Sequence, residues 1–493
     1  PLSLAEETAV TFLFSTQTGW VTDNVNDTVA AVIGDFQSEL GCLDDWQADC
    51  LRTWLQDPDG DGLFLFQTDA IPAGDHEARV AVGQNPDESY GEGGALDGAN
   101  IPFTVPADGD LVTFAWDSAT NQINVRVGGG GPVGNIKESR AHWVTADTIA
   151  WDVTVDPTYS YRLHYSLDAA LNLSFTDLSG GETLPLTPDP AGLPDDVKAK
   201  FPHLADYAAF KIAPEDFYDA RLALKGQTAV SINDATGGLL DATGLQLPGV
   251  LDDLFLYDGP LGVSFEEGIP VLRVWAPTAQ SVRLALFPGD NPAETPEFFP
   301  MRIDSGSGVW SITGSPEWDR SYYLYEVRVF SPETGAVVTN LVTDPYSLSL
   351  SMNSTLSQIV NLEDADLQPP DWADLIKPPL AAPEDITIYE LHIRDFSIYD
   401  ETVPEEIRGT YRAFAIDSAG TRHLAELAIA GLSHLHLLPS FDIATINENA
   451  AERVEPDPAE LAALPPDSEE QQAIIGEVRD LDGFNWGYDP FHY

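Results

Sequence analysis

Most of the chain consists of short apolar or alternating runs that turn-forming residues separate. Between residues 26 and 128 these runs are AAVI at 30–33, GLFLF at 62–66, EARVAV at 77–82, IPFTV at 101–105 and LVTFAW at 111–116. Short strands at this spacing are typical of a β-sandwich. The pattern therefore predicts a strand-rich chain of several domains, with β-sandwich modules first.

A short internal repeat marks the first residues. VTFLFSTQT at 10–18 aligns with VTFAWDSAT at 112–120, an offset of 112 − 10 = 102 residues. An offset of this length is the size of a domain, not of a solenoid unit. Residues 1–25 are therefore predicted to be the tail of an upstream β-sandwich repeat; chance similarity of two hairpins is the alternative. Four glycines at 128–131 indicate a linker after the complete module.

The pattern changes after the proline-rich residues 369–383. ITIYELHI at 386–393 predicts a buried strand, and residues 430–439 contain a second. A helix is predicted between them, over residues 421–430. Strand, helix and strand in this order predict the opening of a parallel α/β barrel, whose functional residues follow the strands at their carboxyl ends.

The predicted helix has signals at both ends. Ser418 or Asp417 can cap its amino terminus, and Gly431 can end it. Its buried face is predicted to consist of Leu424, Leu427 and Ala428. The acidic insertion at 442–482 is predicted to be a helical excursion on the loop after the second strand.

The chain is strongly acidic: its 493 residues include 80 Asp and Glu against 23 Lys and Arg, a net charge of −57. Such a field repels nucleic acid and anionic membranes, so neither is an expected partner. The sequence contains no run of about 18 apolar residues, so no membrane span is predicted. A neutral sugar polymer is compatible with the charge. A saline or marine setting is one explanation of the acid excess, because salt screens self-repulsion; an ordinary acidic secreted protein is the other.

Two cysteines, Cys42 and Cys50, lie in one segment. They predict a small loop disulfide and an oxidising compartment, with two reduced core thiols as the alternative. A zinc site needs more ligands than this segment offers. DPDGDG at 57–62 matches the first half of a calcium loop, but Thr68 occupies the position where Glu is required. A tight turn is therefore the better interpretation, and calcium stays possible; no metal site is predicted.

Three motifs carry a family resemblance. YELHIRDF at 389–396, LLPSFD at 437–442 and FNWGYDP at 484–490, in this order, resemble type I pullulanase, a starch-debranching member of the alpha-amylase superfamily. The family usually has Tyr where this chain has Phe484. The resemblance implies that residues 384–493 begin the catalytic barrel. The expected fold is thus a set of β-sandwich modules followed by the first strands of a truncated (β/α)8 TIM barrel.

The resemblance extends over the preceding modules. Residues 26–128 resemble the carbohydrate-binding-like modules that precede pullulanase catalytic regions. Residues 137–262, with RAHWV at 140–144, resemble the pullulanase amino-terminal domain. Residues 263–375, with VLRVWAP at 271–277, resemble the glycogen-binding-type β-sandwich of debranching and branching enzymes.

The resemblance also implies where the chemistry lies. A retaining glycosidase needs two carboxylates, and in this family they follow later barrel strands, so no catalytic residue is assigned here. Tyr488 and Asp489 match the aromatic and its neighbour that line the sugar pocket, and are the expected substrate-binding residues. Exposed aromatics of the earlier modules could contact glucan; the candidates are Trp46, Trp54, Tyr90 and Trp143.

The expected parent activity is cleavage of α-1,6-glucosidic bonds in pullulan, starch or glycogen, with no required cofactor. The parent is expected to be secreted or on the cell surface, and this chain alone is expected to be inactive. The alternatives are a non-catalytic α-glucan-binding fragment and part of an isoamylase or branching enzyme.

Overall fold

The computed structural model describes residues 10–15, 19–25, 27–58, 60, 62–127, 134–174, 177–235 and 237–492. It divides into two compact units. The first contains the residues up to Leu254 together with Phe330–Val337. The second contains Phe255–Val329 and the chain from Val338 onward. The fold is rich in strands throughout, as the pattern predicts.

The first module is built from two sheets that enclose one core, and a separate hairpin, β1–β2, precedes them in the chain. Its strands are β1 (Phe12–Phe14), β2 (Val21–Asp23), β3 (Ala30–Gly34), β4 (Trp54–Leu55), β5 (Leu63–Thr68), β6 (Gly74–Val82), β7 (Ser89–Tyr90), β8 (Ile101–Val105), β9 (Val112–Asp117) and β10 (Gln122–Val127). One sheet has the order β4-β3-β6-β7, with β8 also on β6, and the other β10-β9-β5. Val32 and Val80 of one sheet share a core with Phe64 and Phe114 of the other. This arrangement is that of a β-sandwich.

The hairpin β1–β2 lies at the start of the described chain. Its Phe12 and Phe14 are 66% and 63% exposed. At the repeat offset their counterparts are Phe114 and Trp116 of β9, which are 0% and 2% exposed inside the sandwich. The same apolar pattern is therefore buried in β9 and exposed in β1. The assignment of residues 1–25 to an upstream repeat stays a prediction.

The second module contains a closed barrel. Its elements are β11 (Ala141–Thr145), β12 (Thr148–Trp151), β13 (Ser160–Ser166), β14 (Asn172–Leu173), β15 (Leu178–Ser179), β16 (Glu182–Asp189), α1 (Asp195–Lys200), β17 (Ala208–Ile212), α2 (Phe217–Ala223), β18 (Gln227–Asn233), β19 (Leu239–Gln246) and α3 (Pro248–Phe255). The barrel order is β11-β12-β17-β16-β13-β18-β19. The general expectation of sandwich modules is wrong for this one: β11 and β19 pair in parallel, Ala141 opposite Leu245, and this pairing closes the sheet.

The third module is again a pair of sheets. Its strands are β20 (Gly262–Glu266), β21 (Ile269–Trp275), β22 (Ser281–Phe287), β23 (Glu297–Pro300), β24 (Arg302–Asp304), β25 (Val309–Thr313), β26 (Tyr322–Ser331), β27 (Ala336–Val342) and β28 (Ser357–Gln358). The sheets have the orders β20-β21-β25-β24 and β23-β22-β26-β27, with β28 on β26. Leu272 and Trp310 pack with Leu284 and Tyr325 in their shared core.

The last segment contains β29 (Ile388–Leu391), α4 (Ile393–Ser397), α5 (Ala419–Ile429), β30 (His434–Leu437), β31 (Asp442–Ile443), α6 (Pro458–Ala463), α7 (Glu470–Val478) and β32 (Pro490–His492). β29 and β30 are parallel neighbours, with α5 between them in the chain. The predicted cap is confirmed: Ser418 Oγ accepts the Thr421 backbone N–H at 3.2 Å, and Thr421 Oγ1 accepts that of Ser418 at 2.9 Å. The acidic insertion is helical, as predicted, in α6 and α7.

The burial predicted for this segment is wrong. Ile388 of β29 is 63% exposed and Leu435 of β30 is 44% exposed. On α5, Leu424 and Leu427 are half-buried and Ala428 is exposed. Parallel sheets are normally covered on both faces, and the sheet that holds these strands has two strands among the described residues. Local pattern therefore predicts these elements correctly and their burial incorrectly.

No helix in the described ranges is long and apolar enough to cross a lipid bilayer.

Candidate functional site

The candidate site lies where β29 and β30 end. Leu391 and Leu437 are register partners at their carboxyl ends. At the opposite ends, the Thr387 backbone N–H donates to Ser433 Oγ at 2.8 Å, and the Ser433 N–H donates to Thr387 Oγ1 at 3.0 Å. These reciprocal bonds fix the strand register, so the segments that leave the two strands start side by side.

His392 follows β29 and meets the aromatic loop at 484–488. Its Nε2 lies 3.3 Å from Asn485 Oδ1, and its Nδ1 lies 3.5 Å from Asp395 Oδ2. Asn485 Oδ1 also accepts the Gly487 backbone N–H at 3.1 Å. The Asn485 side chain therefore stabilises the turn of its own loop and links that loop to His392, the residue after β29.

Gly487 allows the aromatic loop to lie against the end of β30. Its φ is +74°, and a Cβ built there would lie 2.1 Å from the Pro439 carbonyl oxygen. Only glycine accommodates both conditions. Beyond it, Tyr488 is 68% exposed and Asp489 is exposed, while the Asp489 carbonyl accepts the Ala444 N–H at 2.9 Å. The backbone of the two expected sugar-binding residues is thus anchored, and their side chains face outward.

Asp442 joins three segments of the second unit. Its Oδ2 accepts a hydrogen bond from Ser354 Oγ and lies 3.1 Å from His492 Nδ1. The other ring nitrogen of His492, Nε2, lies 2.9 Å from Thr343 Oγ1. His492 is 8% exposed. The pair β31–β32 is therefore fastened through buried polar contacts to residues 343–354.

Asn353 makes a second connection to the loop after β30. Its backbone N–H donates to Glu448 Oε2 at 2.6 Å, and its Oδ1 accepts the Glu448 backbone N–H at 2.7 Å. Its Nδ2 donates to Asn447 Oδ1 at 3.1 Å. Both Asn353 and Ser354 have left-handed backbones, with φ of +57° and +54°. Such a conformation costs free energy at a non-glycine residue, and the contacts to residues 447–448 offset that cost.

These segments surround a cleft of about 1340 Å³. Its lining combines aromatic rings with carboxylates and guanidinium groups, and includes Arg394, Asp395, Tyr399, Tyr411, Asp442, Glu448, Arg453 and Phe484. Burial, and then the nearby carboxylates of Asp442 and Glu448, raise the pKa of Tyr411. The Tyr411 hydroxyl donates to the Ser440 carbonyl at 2.6 Å. A cleft that mixes flat rings with charged hydrogen-bonding groups suits a hydroxyl-rich ligand.

Sequence reasoning missed the connecting residues Ser354, Asn353, Glu448 and His492. Asn353 and Glu448 are 95 positions apart, and Ser354 and Asp442 are 88 apart. No local pattern links residues at such separations. In the sequence, Asp442 is marked only as the last residue of the LLPSFD motif.

Two of the four candidate glucan-contacting aromatics are corrected. Trp54 is 6% exposed and stacks on Trp20 at 5.1 Å between ring centroids; Trp143 is 1% exposed inside the barrel module. Both residues of β4 and three of the five residues of β11, including Trp143, are buried, so these rings are core residues and no sugar can stack on them. Trp46 and Tyr90 are half-buried, and their role stays a prediction.

The predicted disulfide is present: Cys42 and Cys50 are bonded. It closes a loop that carries Trp46, whose φ is +62°. The possible calcium loop lies partly outside the described residues, because Asp59 and Asp61 are not described. Within the described ranges, no three His, Cys, Asp or Glu side chains are placed to share a metal ion.

Three family profiles match successive parts of the chain. The pullulanase X25 domain matches residues 29–123, the pullulanase N2 domain residues 138–253, and carbohydrate-binding module 48, the isoamylase N-terminal domain, residues 260–347. Pullulanase 1, chloroplastic, of Arabidopsis thaliana is 44% identical over 357 residues, which cover 71% of this chain and 36% of that protein. A Klebsiella pneumoniae pullulanase is 35% identical over 72% of this chain and 36% of its own length. The chain belongs to the type I pullulanases.

Solved pullulanases share the fold. The structure of Klebsiella pneumoniae pullulanase complexed with maltotriose superposes with a TM-score of 0.69 at 26% identity, over 94% of this chain and 49% of that one. A Klebsiella oxytoca structure gives the same TM-score at 28% identity. The chain spans about a third of the length of the two curated pullulanases and corresponds to their amino-terminal portion.

Proposed function

We propose that this chain is the amino-terminal part of a starch-debranching glycoside hydrolase, which cleaves α-1,6-glucosidic bonds in pullulan, starch or glycogen by a retaining mechanism. The observation that carries the proposal is the succession of X25, N2 and module 48 matches in one chain, followed by the residues around the cleft. Relatives that are named pullulanases support the same activity.

Residues 384–493 are proposed to be the first strands of a (β/α)8 barrel. The parallel pair β29–β30, joined through α5, is the repeating unit of such a barrel. Tyr389 and Leu437 are 41% and 39% exposed. In a complete barrel, neighbouring strands and an outer layer of helices would cover both faces of the pair. The exposed apolar side chains support this proposal because they need such cover.

Within the parent, Tyr488 is proposed to stack on a glucose ring and Asp489 to accept hydrogen bonds from its hydroxyls. An exposed ring offers an apolar face to the C–H face of a sugar. The acid pair that a retaining mechanism requires is proposed to follow later barrel strands. The 493-residue chain is therefore expected to bind α-glucan without cleaving it.

The test combines two assays on the purified chain. Reducing-end release from pullulan should stay at background, while electrophoresis through gels containing amylopectin or pullulan should retard the chain. Tyr488→Ala should reduce retardation. The control is Tyr399→Ala, which removes an exposed ring that lines the cleft; Tyr488 is not among the lining residues, so the pair separates a general loss of exposed ring surface from a specific role of Tyr488. Bond cleavage by the chain would refute the placement of the acid pair, and absence of retardation would refute glucan binding.

A non-catalytic glucan-binding protein is the second candidate, favoured by the match to a carbohydrate-binding module. An isoamylase or a branching enzyme would carry the same module. The matches to the pullulanase X25 and N2 domains favour a pullulanase over both alternatives. Activity of a longer protein that includes the later strands, assayed on pullulan and amylopectin, separates the three.

The parent is proposed to be secreted or on the cell surface, in a saline setting. The Cys42–Cys50 disulfide supports an oxidising compartment, and the net charge of −57 supports high salt. The melting temperature should rise from low to molar NaCl. Equimolar glycine betaine, a solute that is neither a salt nor a sugar, is the control for a general solute effect, and no rise with NaCl would contradict the saline setting.

A further inference from the structure

Four adjacent strands of the closed barrel bring polar side chains together at one end. Gln246 ends β19 and is the register partner of His142 on β11. Asp152 directly follows β12, and Tyr207 directly precedes β17. Trp151, which precedes Asp152, and Ala208, which follows Tyr207, are register partners, so Asp152 and Tyr207 lie at the same end of the two strands. Because the barrel order places β19, β11, β12 and β17 side by side, these side chains converge although their segments are spread over about 100 residues of the chain.

The convergence forms a pocket of about 280 Å³. Its lining is Ser139, Arg140, His142, Asp152, Tyr207 and Gln246. Pockets for drug-sized ligands are roughly 300–1,000 Å³, so this pocket suits one small ring. Ala141 and Trp143 are buried on either side of half-buried His142, so alternation along β11 turns His142 outward, toward a ligand from solvent.

The pocket has hydrogen-bonding groups that other described residues do not use. Gln246 Nε2 donates to the Ser139 carbonyl at 3.0 Å, which orients the amide and leaves its oxygen as an acceptor. His142 has ring contacts with Tyr207 and His203, each at 6.0 Å between centroids, and no hydrogen bond to a described residue. Burial, and then His203, lower the pKa of His142. A neutral imidazole offers one donor and one acceptor.

The charges around the pocket restrict the ligand. Arg140 Nη2 is paired with Asp241 Oδ1 at 2.6 Å and also donates to the Ala242 carbonyl at 3.3 Å. With Arg140 compensated and His142 neutral, the exposed carboxylate of Asp152 leaves the lining negative. An anion such as phosphate is therefore disfavoured. In the described part of the chain no three potential ligands are placed for a metal ion either.

We propose that this pocket binds a single glucosyl unit of an α-glucan, with Asp152 and Gln246 accepting hydrogen bonds from sugar hydroxyls and the Tyr207 ring against the sugar. The choice of sugar rests on the function proposed above. The mixture of a carboxylate, an amide, a neutral imidazole and a flat ring is the chemistry that a neutral polyol requires. The pocket would hold the second module on the polymer.

Maltotriose is the probe, and hydrogen–deuterium exchange of the intact 493-residue chain locates its binding. Protection is expected in peptides covering residues 139–152 and 204–210, independently of any protection in residues 484–492. Asp152→Asn and Tyr207→Ala should each weaken the affinity measured at the first two peptides roughly three- to tenfold, the loss of one charge-assisted hydrogen bond or of one ring contact. The matched controls are Asp168→Asn and Tyr218→Ala, which remove an exposed carboxylate and an exposed ring of the same module outside the pocket; neither should change the affinity.

The outcomes separate this proposal from the function proposed above. Protection confined to residues 484–492, or unchanged affinity in Asp152→Asn and Tyr207→Ala, overturns the pocket and leaves glucan binding at the cleft intact. Protection of residues 139–152 by phosphate and not by maltotriose overturns the sugar assignment. Protection of these peptides by maltotriose in a Tyr488→Ala variant supports the pocket even if the cleft binds nothing.

Discussion

A buried histidine in the barrel of the second module should make that barrel sensitive to acid. His164 of β13 is 4% exposed, and its Nε2 lies 2.8 Å from Ser231 Oγ, which is fully buried. Burial, and secondarily the charge of Arg162, lower the pKa of His164 from 6.5 to about 4, although Asp177 acts in the opposite direction. Between these two pH values the unfolded chain carries a proton on His164 that the folded barrel does not.

The sign and size of the effect follow from this difference. Because the unfolded state binds more protons between pH 6.5 and about pH 4, the contribution of His164 is complete above pH 6.5 and is lost as the pH falls toward about 4. The interval, 6.5 − 4 = 2.5 pH units, at about 1.4 kcal/mol per unit, corresponds to about 3 kcal/mol. A loss of this size is a large fraction of the stability of an ordinary domain.

The variant His164→Gln isolates this contribution because glutamine keeps a polar group and does not titrate. Urea unfolding, followed by pulsed hydrogen exchange in the β13 peptide, reports on this barrel by itself. The stability of the wild type relative to the variant should fall by about 3 kcal/mol between pH 7 and pH 4. His423→Gln, which removes an exposed imidazole outside this module, should leave the stability difference between wild type and variant unchanged between pH 7 and pH 4. A constant difference for His164→Gln as well would refute the reasoning.

Three further changes test other parts of the structure. Replacing Cys42 and Cys50 by serine should cost the first module about 2.5 kcal/mol through restored loop entropy, measured as a shift in its urea midpoint, and an unchanged midpoint would contradict a structural role. Asn353→Ala should accelerate exchange in residues 441–456 about tenfold, because it removes two side-chain hydrogen bonds to Asn447 and Glu448; Asn353→Gly should do so less, since glycine relieves the left-handed strain. Trp143→Ala should destabilise its barrel by roughly 3–5 kcal/mol without a specific loss of glucan retention in the fraction that stays folded; selective loss of retention would restore Trp143 as a contact residue.

Local patterns predict those parts of this fold that neighbouring residues determine. The strands at 62–66 and 111–116 correspond to β5 and β9, because a short apolar run between turn-forming residues is a property of consecutive residues. The cap at Ser418 was predictable for the same reason, since all its partners lie within one turn. The disulfide depended on two cysteines in one segment.

Closure of the second module could not be predicted in the same way. It depends on Ala141 lying opposite Leu245, a parallel contact between residues about 100 positions apart. Nothing in the sequence of either strand indicates that the two strands pair. The same closure determines that Trp143 faces the interior, where it is 1% exposed. A tryptophan in a short strand is equally compatible with a core and with a sugar platform, so the pattern could not decide its role.

The turn at Asn353 and Ser354 shows why the site was harder to predict than the fold. Neither residue is glycine, yet both have left-handed backbones, a conformation that costs roughly 1–2 kcal/mol per residue. The turn has internal hydrogen bonds, such as that from the Ser354 backbone N–H to the Ser351 carbonyl at 2.9 Å. Further hydrogen bonds to Asn353 and Ser354 come from Glu448 and Asp442, about 90 positions later. Residues 442–448 form no strand longer than two residues, so regular strand pairing does not fix the conformation of this loop. The turn and the loop therefore determine each other's conformation. A prediction from the sequence of either segment alone misses the hydrogen bonds between them.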